Sequence, residues 1–221
     1  MKTSIQKNVL KVVEILRYDL FTNGVDSLKQ AFLCIEKLDE LKEGLEHNVK
    51  DSVLAMNHAF ETLFKHILKD QSEYLIFSNI ESYMKAKEAM IQQNKKNIFD
   101  VKGNLQTVGL IDALRRLKFL CNFRIDSDLI GAIDYLVETR NKLQHYELII
   151  SKDELTTLIE KLKSCYELGV EFLGEHLLEL TEALEEARFE ETHEDYWSDY
   201  AADMAYEQHR EERLLSGWDD D

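Results

Sequence analysis

Residues 127–148, SDLIGAIDYLVETRNKLQHYEL, carry the pattern that decides the fold. Apolar side chains recur every three or four residues, the period of an α-helix with one buried face; they are Leu129, Ile133, Leu136 and Leu143. The residue that continues this spacing between Leu136 and Leu143 is Arg140. An arginine in a core-facing stripe is costly unless it is paired or lines an interface. The stretch therefore predicts a helix, here called the motif helix, whose buried face runs into a charged site.

Arg140, Asn141 and His145 form a polar motif at the end of this helix. The guanidinium of Arg140 is always charged and matches the geometry of a phosphate or a carboxylate. Asn141 and His145 share a helix face, whereas His145 lies about 140° around the helix from Arg140. Arg140 and His145 can therefore meet in three ways. Their long side chains can reach around the helix, or the helix can fray after Leu143. Alternatively, the two residues come from two copies of the chain related by a two-fold axis.

The rest of the chain also predicts helices. The 221 residues include no proline and eight glycines, so long helices are rarely interrupted. Apolar periodicity predicts further helices over residues 5–21, 26–45, 49–69, 72–93, 109–121 and 151–190. The clearest loop is NKKNIFDVKGNLQTVGL, residues 94–110. We expect an all-α fold, a bundle of antiparallel helices.

Local signals predict where several helices begin and end. Helix ends are predicted at Asn23-Gly24 and at Gly44 with Asn48. Asp126 or Ser127 is suited to cap the motif helix, and Ser151 with Glu154 forms a capping box for the last helix.

Charge divides the chain into a balanced body and an acidic end. The formal net charge is −16, and residues 176–221 hold 16 acidic and 3 basic side chains. We therefore expect a helical domain over 1–188 and an acidic, aromatic-containing tail over 189–221. The tail is interpreted as a disordered solubilising end, a partner-docking segment, or a cover that mimics RNA over a basic groove. The overall charge argues against broad nonspecific nucleic-acid binding.

Cysteine and histidine spacing predicts neither disulfides nor a metal site. Cys34, Cys121 and Cys165 lie far apart, which is typical of buried thiols in a reducing compartment. His58 and His66 lack a matching carboxylate set, so we expect no metal and no cofactor. The N-terminus has no apolar signal region and no stretch approaches a membrane span, which indicates a cytoplasmic protein without membrane contact.

The motif Arg140-Asn141-x-x-x-His145 resembles the R-x4-6-H signature of the HEPN superfamily (higher eukaryotes and prokaryotes nucleotide-binding), in its RN-x-x-x-H form. Upstream, AMNHAFETLFKHIL is similar to the family's helix with a Glu-x-x-x-Lys pair, here Glu61 and Lys65. The order of elements also matches, because this helix is followed by an insert, the motif helix and a long closing helix. The resemblance covers residues 5–180.

This resemblance implies a HEPN-like bundle that dimerises through its motif helices and cuts RNA without a metal, as in bacterial defence or toxin–antitoxin systems. It implies that His145 moves the proton and that Arg140 neutralises the phosphate. Asn141 would orient either group, Glu61 would hold Arg140 or assist proton transfer, and Lys65 would contact phosphate. RNA is then the substrate, and the products carry a 2′,3′-cyclic phosphate and a 5′-hydroxyl.

One departure concerns Tyr146. A branch of the family, the partners of minimal nucleotidyltransferases, has RN-x-x-x-H-x-Y with a modified tyrosine. Here Tyr146 directly follows His145, and Glu147 stands at the branch's tyrosine position. That modification is therefore not carried over, and Tyr146 is interpreted as a supporting residue or as a packing residue whose hydroxyl reaches the surface.

Structural alternatives stand beside these roles. Arg140 also fits an ion pair with Glu138, Glu147 or Glu61. His145 fits a helix C-terminus favoured by the dipole, and Glu61 with Lys65 fits an ordinary helix pair. A small basic cluster is either a guide for RNA or a solvated helix face; it consists of Arg115, Arg116, Lys118 and Arg124.

Two functions of other classes remain open. One is a catalytically inactive HEPN-like dimerisation module that binds a protein partner or antitoxin. The other is a helical scaffold unrelated to that family.

Overall fold

Seven α-helices make up most of the described chain. The computed structural model describes residues 17–41 and 43–188, together with positions 204, 206 and 210. The helices are α1 (Leu20–Glu40), α2 (Leu45–Gln71), α3 (Ile80–Gln92), α4 (Leu110–Phe119), α5 (Ser127–His145), α6 (Lys152–His176) and α7 (Leu180–Glu186). Two short 3-10 helices add Glu73–Ile76 and Ile98–Asp100. No strand forms within these residues, so the predicted all-α helical bundle is confirmed.

The core is built around α2. This helix packs along α1 and also contacts α4, α5 and α6. Its predicted apolar face is confirmed, because the side chains of that face are buried; they are Val49, Val53, Met56, Phe60, Leu63 and Ile67. The central position of α2 fixes the two side chains of the Glu-x-x-x-Lys pair relative to the rest of the bundle.

The predicted helix end at Asn23-Gly24 is wrong. Residues 17–19 are not helical, and α1 begins after Asp19, whose side chain accepts a hydrogen bond from the Thr22 N–H at 2.9 Å. Gly24 lies inside the first turns of α1, where a Cβ would lie 2.6 Å from Leu63 Cγ. The glycine is thus required by close packing of α1 on α2. The rest of the predicted helix 5–21 falls on residues 1–16, outside the described residues.

The second predicted helix, 26–45, ends earlier than expected. α1 stops at Glu40, and Gly44 adopts a left-handed conformation with φ 76° directly before α2. Gly44 therefore marks the start of α2, and Asn48, predicted as part of a helix end, lies buried in its first turns. A glycine is favoured at position 44 because any residue with a Cβ would be strained at this positive φ.

The predicted helix 72–93 is divided into a 3-10 helix and α3. Phe77, between the two, forms an antiparallel bridge with Thr107. The Val108 N–H donates to the Ile76 carbonyl at 3.0 Å, and the Ser78 N–H donates to the Gln106 carbonyl at 2.9 Å. These bonds close the base of an insert that comprises residues 72–109. The break arises from pairing with a distant part of the chain, for which the local sequence carries no signal.

The motif helix and the closing helix begin as predicted. Asp126 caps α5 by accepting from the Asp128 N–H at 2.8 Å. Ser151 and Glu154 form the predicted capping box at the start of α6. The closing helix does not continue to residue 190, because α6 ends at His176 and the buried residues Leu177 and Leu180 turn the chain into the separate helix α7.

The chain divides into two units, residues 1–187 and 188–221. In the second unit the structure describes Arg188 and positions 204, 206 and 210, the last three helical. The predicted acidic tail 189–221 otherwise lies outside the described residues. In the described part of the chain, no helix has both the length and the apolar character needed to cross a membrane.

Candidate functional site

A cleft of about 340 Å³, here called the Arg140 cleft, lies where the motif helix meets α2. Its lining includes Asn57 and Glu61 of α2, Gly109 and Asp112 at the start of α4, and Val137 and Arg140 of the motif helix. The fold thus brings the basic residue of one predicted motif beside the acidic residue of the other. The lining holds two carboxylates, Glu61 and Asp112, and one guanidinium, and the guanidinium is the lining group suited to bind an anion.

Arg140 reaches this cleft because the buried stripe of the motif helix shifts by one residue. Leu129, Ile133 and Leu136 are buried, but the next buried position is Thr139, whose hydroxyl donates to the Tyr135 carbonyl at 2.8 Å. Arg140 is half-buried, and among the described residues it makes no ion pair. Its Nη1 donates to Asn141 Oδ1 at 3.0 Å, which joins the first two residues of the motif.

Glu61 and Lys65 form the predicted pair, with Lys65 Nζ 2.7 Å from Glu61 Oε1. Lys65 is only 8% exposed, and its Nζ also donates to Thr107 Oγ1 at 3.0 Å. The ammonium group therefore connects the base of the insert to the acidic wall of the Arg140 cleft. The role of Thr107 had no local signal in the sequence, because it depends on the bridge between Thr107 and Phe77.

Asn57 and Asp112 are further cleft residues that sequence reasoning missed. Asn57 is 7% exposed and lies four residues before Glu61, hence on the same helix face. That spacing is a signal that was available in the sequence. Asp112 lies in the first turn of α4, and only the packing of α4 on α2 places it here.

His145 is the last residue of the motif helix, is exposed, and does not line the Arg140 cleft. Tyr146 follows as the C-cap and is 91% exposed, so it does not pack against the part of the chain that the structure describes. A single chain therefore brings Arg140, Asn141 and Glu61 together and leaves His145 about one turn further along the helix.

The four residues of the predicted basic cluster do not form one surface. Arg116 Nη1 donates to the carbonyls of Leu75 and Phe77 at 2.7 and 2.8 Å, so this side chain holds the base of the insert. Arg115 is exposed, with Asp112 at 4.0 Å. Lys118 and Arg124 line another cleft, where the neighbouring carboxylates outnumber them; these are Asp126, Asp128, Glu171 and Glu175.

The described residues contain no group of three or more side chains that could hold a metal ion. His66 lies 3.4 Å from Asp70 as a helix pair, and His58 is exposed. Cys34 and Cys165 are buried, as predicted, whereas Cys121 is half-buried. Burial raises the pKa of Cys165 to about 12 and also raises the pKa of Cys121, so both thiols stay protonated at neutral pH.

Comparison with known proteins finds no matching family model, no matching curated protein and no matching solved structure. The chemistry available to this chain depends on its own residues. They provide a half-buried arginine, an adjacent amide, a lysine-bound carboxylate and an exposed histidine on the same helix as the arginine.

Proposed function

We propose that this chain is a HEPN-like, metal-independent endoribonuclease that acts as a cytoplasmic homodimer in a defence or toxin–antitoxin setting. The observation that carries the proposal is the shared position of Arg140 and Glu61 in one cleft. Two motifs far apart in the sequence meet there, in the combination that the family resemblance implies. A half-buried arginine that lines a cleft and makes no ion pair among the described residues is available to a phosphate.

The proposed reaction is attack of the RNA 2′-oxygen on the adjacent phosphorus. The bond from phosphorus to the 2′-oxygen forms while the bond to the 5′-oxygen breaks. His145, an imidazole that can both accept and donate a proton, takes the 2′-hydroxyl proton and delivers it to the leaving 5′-oxygen. Arg140 stabilises the charge that develops on the phosphoryl oxygens. The products are a 2′,3′-cyclic phosphate and a 5′-hydroxyl.

The remaining cleft residues position these two groups. Asn141 accepts a hydrogen bond from Arg140 and so restricts the orientation of the guanidinium. Lys65 neutralises much of the charge of Glu61 at 2.7 Å, which reduces repulsion of a phosphate from the cleft. Because His145 lies outside the Arg140 cleft of its own chain, the proposed site is composite: Arg140 comes from one protomer and His145 from its partner.

A second candidate function is a non-catalytic dimerisation module that binds a protein partner, such as an antitoxin. The observation that favours it is the exposed apolar surface that follows the motif helix. Tyr146 is 91% exposed and Ile149 is 79% exposed. Exposed aromatic and branched side chains close together are typical of an interface. The same surface serves the homodimer of the first proposal, so a catalytic assay is needed to separate the two.

The test is cleavage of total RNA and of tRNA by the purified protein in EDTA. The proposal predicts cleavage by the wild-type chain and its loss in Arg140→Ala and in His145→Ala, by about a hundredfold or more. Fragments should carry a cyclic phosphate that acid converts to a linear phosphate.

Gln144→Ala is the matched control, because Gln144 is exposed next to His145 and has no assigned role. It should cleave like the wild type, with all variants sharing the same melting temperature. A folded wild-type dimer without cleavage in EDTA would contradict the nuclease proposal and favour the interaction module.

A further inference from the structure

The loop after α3, residues 93–102, is here called the lysine loop, and its backbone is held in one arrangement. Asn94 has φ 50°, and the Lys95 N–H donates to the Met90 carbonyl at 3.0 Å. Asn97 Oδ1 accepts from the Phe99 N–H at 3.0 Å. Ile98 is 6% exposed and anchors the loop, whereas the adjacent Phe99 is 55% exposed. The loop thus presents an aromatic ring to solvent from a backbone that local hydrogen bonds hold in place.

The region around this loop is basic in an acidic protein. Residues 84–102 contain five lysines and two carboxylates, in a chain of net charge −16. Lys85 and Lys87 bind Glu81 and Glu73 at 2.7 and 2.6 Å. The other three lysines of the region are exposed and make no ion pair with a described residue; they are Lys95, Lys96 and Lys102. Cations left unpaired on one loop attract an anionic ligand.

The lysine loop is continuous with the Arg140 cleft. Residues 103–108 lead from the loop to Gly109, which lines that cleft. Thr107 lies on this path and accepts a hydrogen bond from Lys65, itself bound to Glu61. The chain from Lys102 to Gly109 spans at most about 25 Å when fully extended, so a strand of nucleic acid bound in the cleft reaches the lysine loop within a few nucleotides.

We propose that the lysine loop binds single-stranded RNA. Phe99 stacks on a base, while Lys95, Lys96 and Lys102 contact phosphates. An exposed aromatic ring among lysines is how single strands are bound without base-specific hydrogen bonds. The Phe99 ring also packs against Phe77, with the two ring centroids 5.9 Å apart. The choice of RNA as the ligand rests on the proposed function, which supplies the adjacent cleft with its substrate.

The end of α4 also carries an exposed aromatic ring beside basic residues, but its surroundings have the wrong charge for RNA. Phe119 is 66% exposed and has Lys118 Nζ 5.7 Å from its ring centroid. However, Lys118 and Arg124 line a cleft with four carboxylates, which leaves a net negative surface. The lysine loop has the opposite sign and is therefore the favoured surface.

The test is fluorescence anisotropy of a labelled 12-nucleotide single-stranded RNA with the full chain in EDTA. Every protein carries His145→Ala so that the RNA stays intact. Phe99→Leu keeps an apolar side chain but removes the ring, and should raise the Kd about tenfold. Lys95→Glu with Lys96→Glu should lower the slope of log Kd against log salt by about 0.7 for each phosphate that a lysine no longer neutralises, about 1.4 in all.

Two control variants match these changes. Lys37→Glu with Lys50→Glu alters the net charge equally at exposed positions outside the loop, and should change the Kd less than about twofold. Phe119→Leu, the control for the loss of an exposed aromatic ring, should also change the Kd less than about twofold. Three results would overturn the proposal. The first is an equal loss of affinity in the Lys37→Glu, Lys50→Glu variant, and the second is a loss in Phe119→Leu instead of Phe99→Leu. The third is tight binding of polyglutamate at the loop.

The two proposals fail separately. If the wild type does not cleave RNA but binding still depends on Phe99 and the loop lysines, the lysine loop is an RNA site and the nuclease proposal is wrong. If cleavage needs Arg140 and His145 while neither loop variant changes the Kd, the nuclease proposal stands and the lysine loop is not its RNA-binding surface.

Discussion

Gly24→Ala is a substitution for which the structure predicts a measurable loss of stability. Gly24 is the fifth residue of α1, and a Cβ there would lie 2.6 Å from Leu63 Cγ and 2.7 Å from Leu63 Cδ2. Ordinary carbon contacts are about 3.5–4.0 Å, so Leu63 or the whole of α1 must move by about 1 Å. Leu63 is 0% exposed, so any movement of its side chain must displace other core residues.

The expected magnitude follows from two opposing effects. Alanine in place of glycine inside a helix stabilises by about 0.8–1 kcal/mol. Forcing a methyl group into a filled core costs about 1–3 kcal/mol. Since the overlap at Gly24 meets a fully buried side chain, we expect the upper part of that range and a net loss of about 1–2 kcal/mol. The melting temperature should fall by roughly 3–6 °C.

Gly131→Ala provides the matched control. Gly131 is also the fifth residue of its helix, α5, and nothing lies within 4 Å of a Cβ built there. Gly131→Ala should gain about 0.8–1 kcal/mol of unfolding free energy. Urea unfolding followed by circular dichroism at 222 nm measures both variants. A Gly24→Ala protein as stable as the wild type, or a change equal to that of Gly131→Ala, would refute the close packing of α1 on α2.

Three further predictions concern other contacts. Arg116→Met should lose about 2 kcal/mol or more of unfolding free energy, because two carbonyls at the base of the insert lose a charged donor, and amide exchange in residues 72–109 should accelerate; the exposed Arg115→Met should change little. Ser151→Ala should lose about 1 kcal/mol by removing the cap of α6, which urea unfolding measures, and Ser151→Asp should restore it. The hydrogen bond from the Thr22 N–H lowers the pKa of Asp19 below its ordinary value of 3.8. The stabilisation from this carboxylate is therefore present above pH 3.8 and is lost as the pH falls through the folded-state pKa. The difference in unfolding free energy between wild type and Asp19→Asn should shrink from pH 5 to pH 2.5, and a constant difference would contradict this prediction.

Features set by neighbouring residues could be predicted from the sequence. The cap at Asp126, the capping box at Ser151 and the buried face of α2 depend on contacts within one or two turns, and all three are as expected. Arg140 stands out in the sequence because it interrupts an apolar stripe, and the structure places it at a cleft with Glu61.

Features set by distant pairing could not be predicted in this way. Gly24 resembles a helix stop, but its small size is required by Leu63 on another helix. Arg116 belongs to a basic run in the sequence, yet its guanidinium is bound by the carbonyls of Leu75 and Phe77. The hydrogen bond between Thr107 and Lys65 likewise depends on the closed base of the insert. Periodicity describes one helix at a time and carries no information on such partners.

Co-expression of Arg140→Ala with His145→Ala tests the central claim, a composite ribonuclease site, most directly. Each variant alone should be inactive in EDTA. In a random mixture half of the dimers are mixed and each has one intact site, so the account predicts about a quarter of wild-type activity. A mixture as inactive as either variant, beside an active wild type, would contradict the composite site.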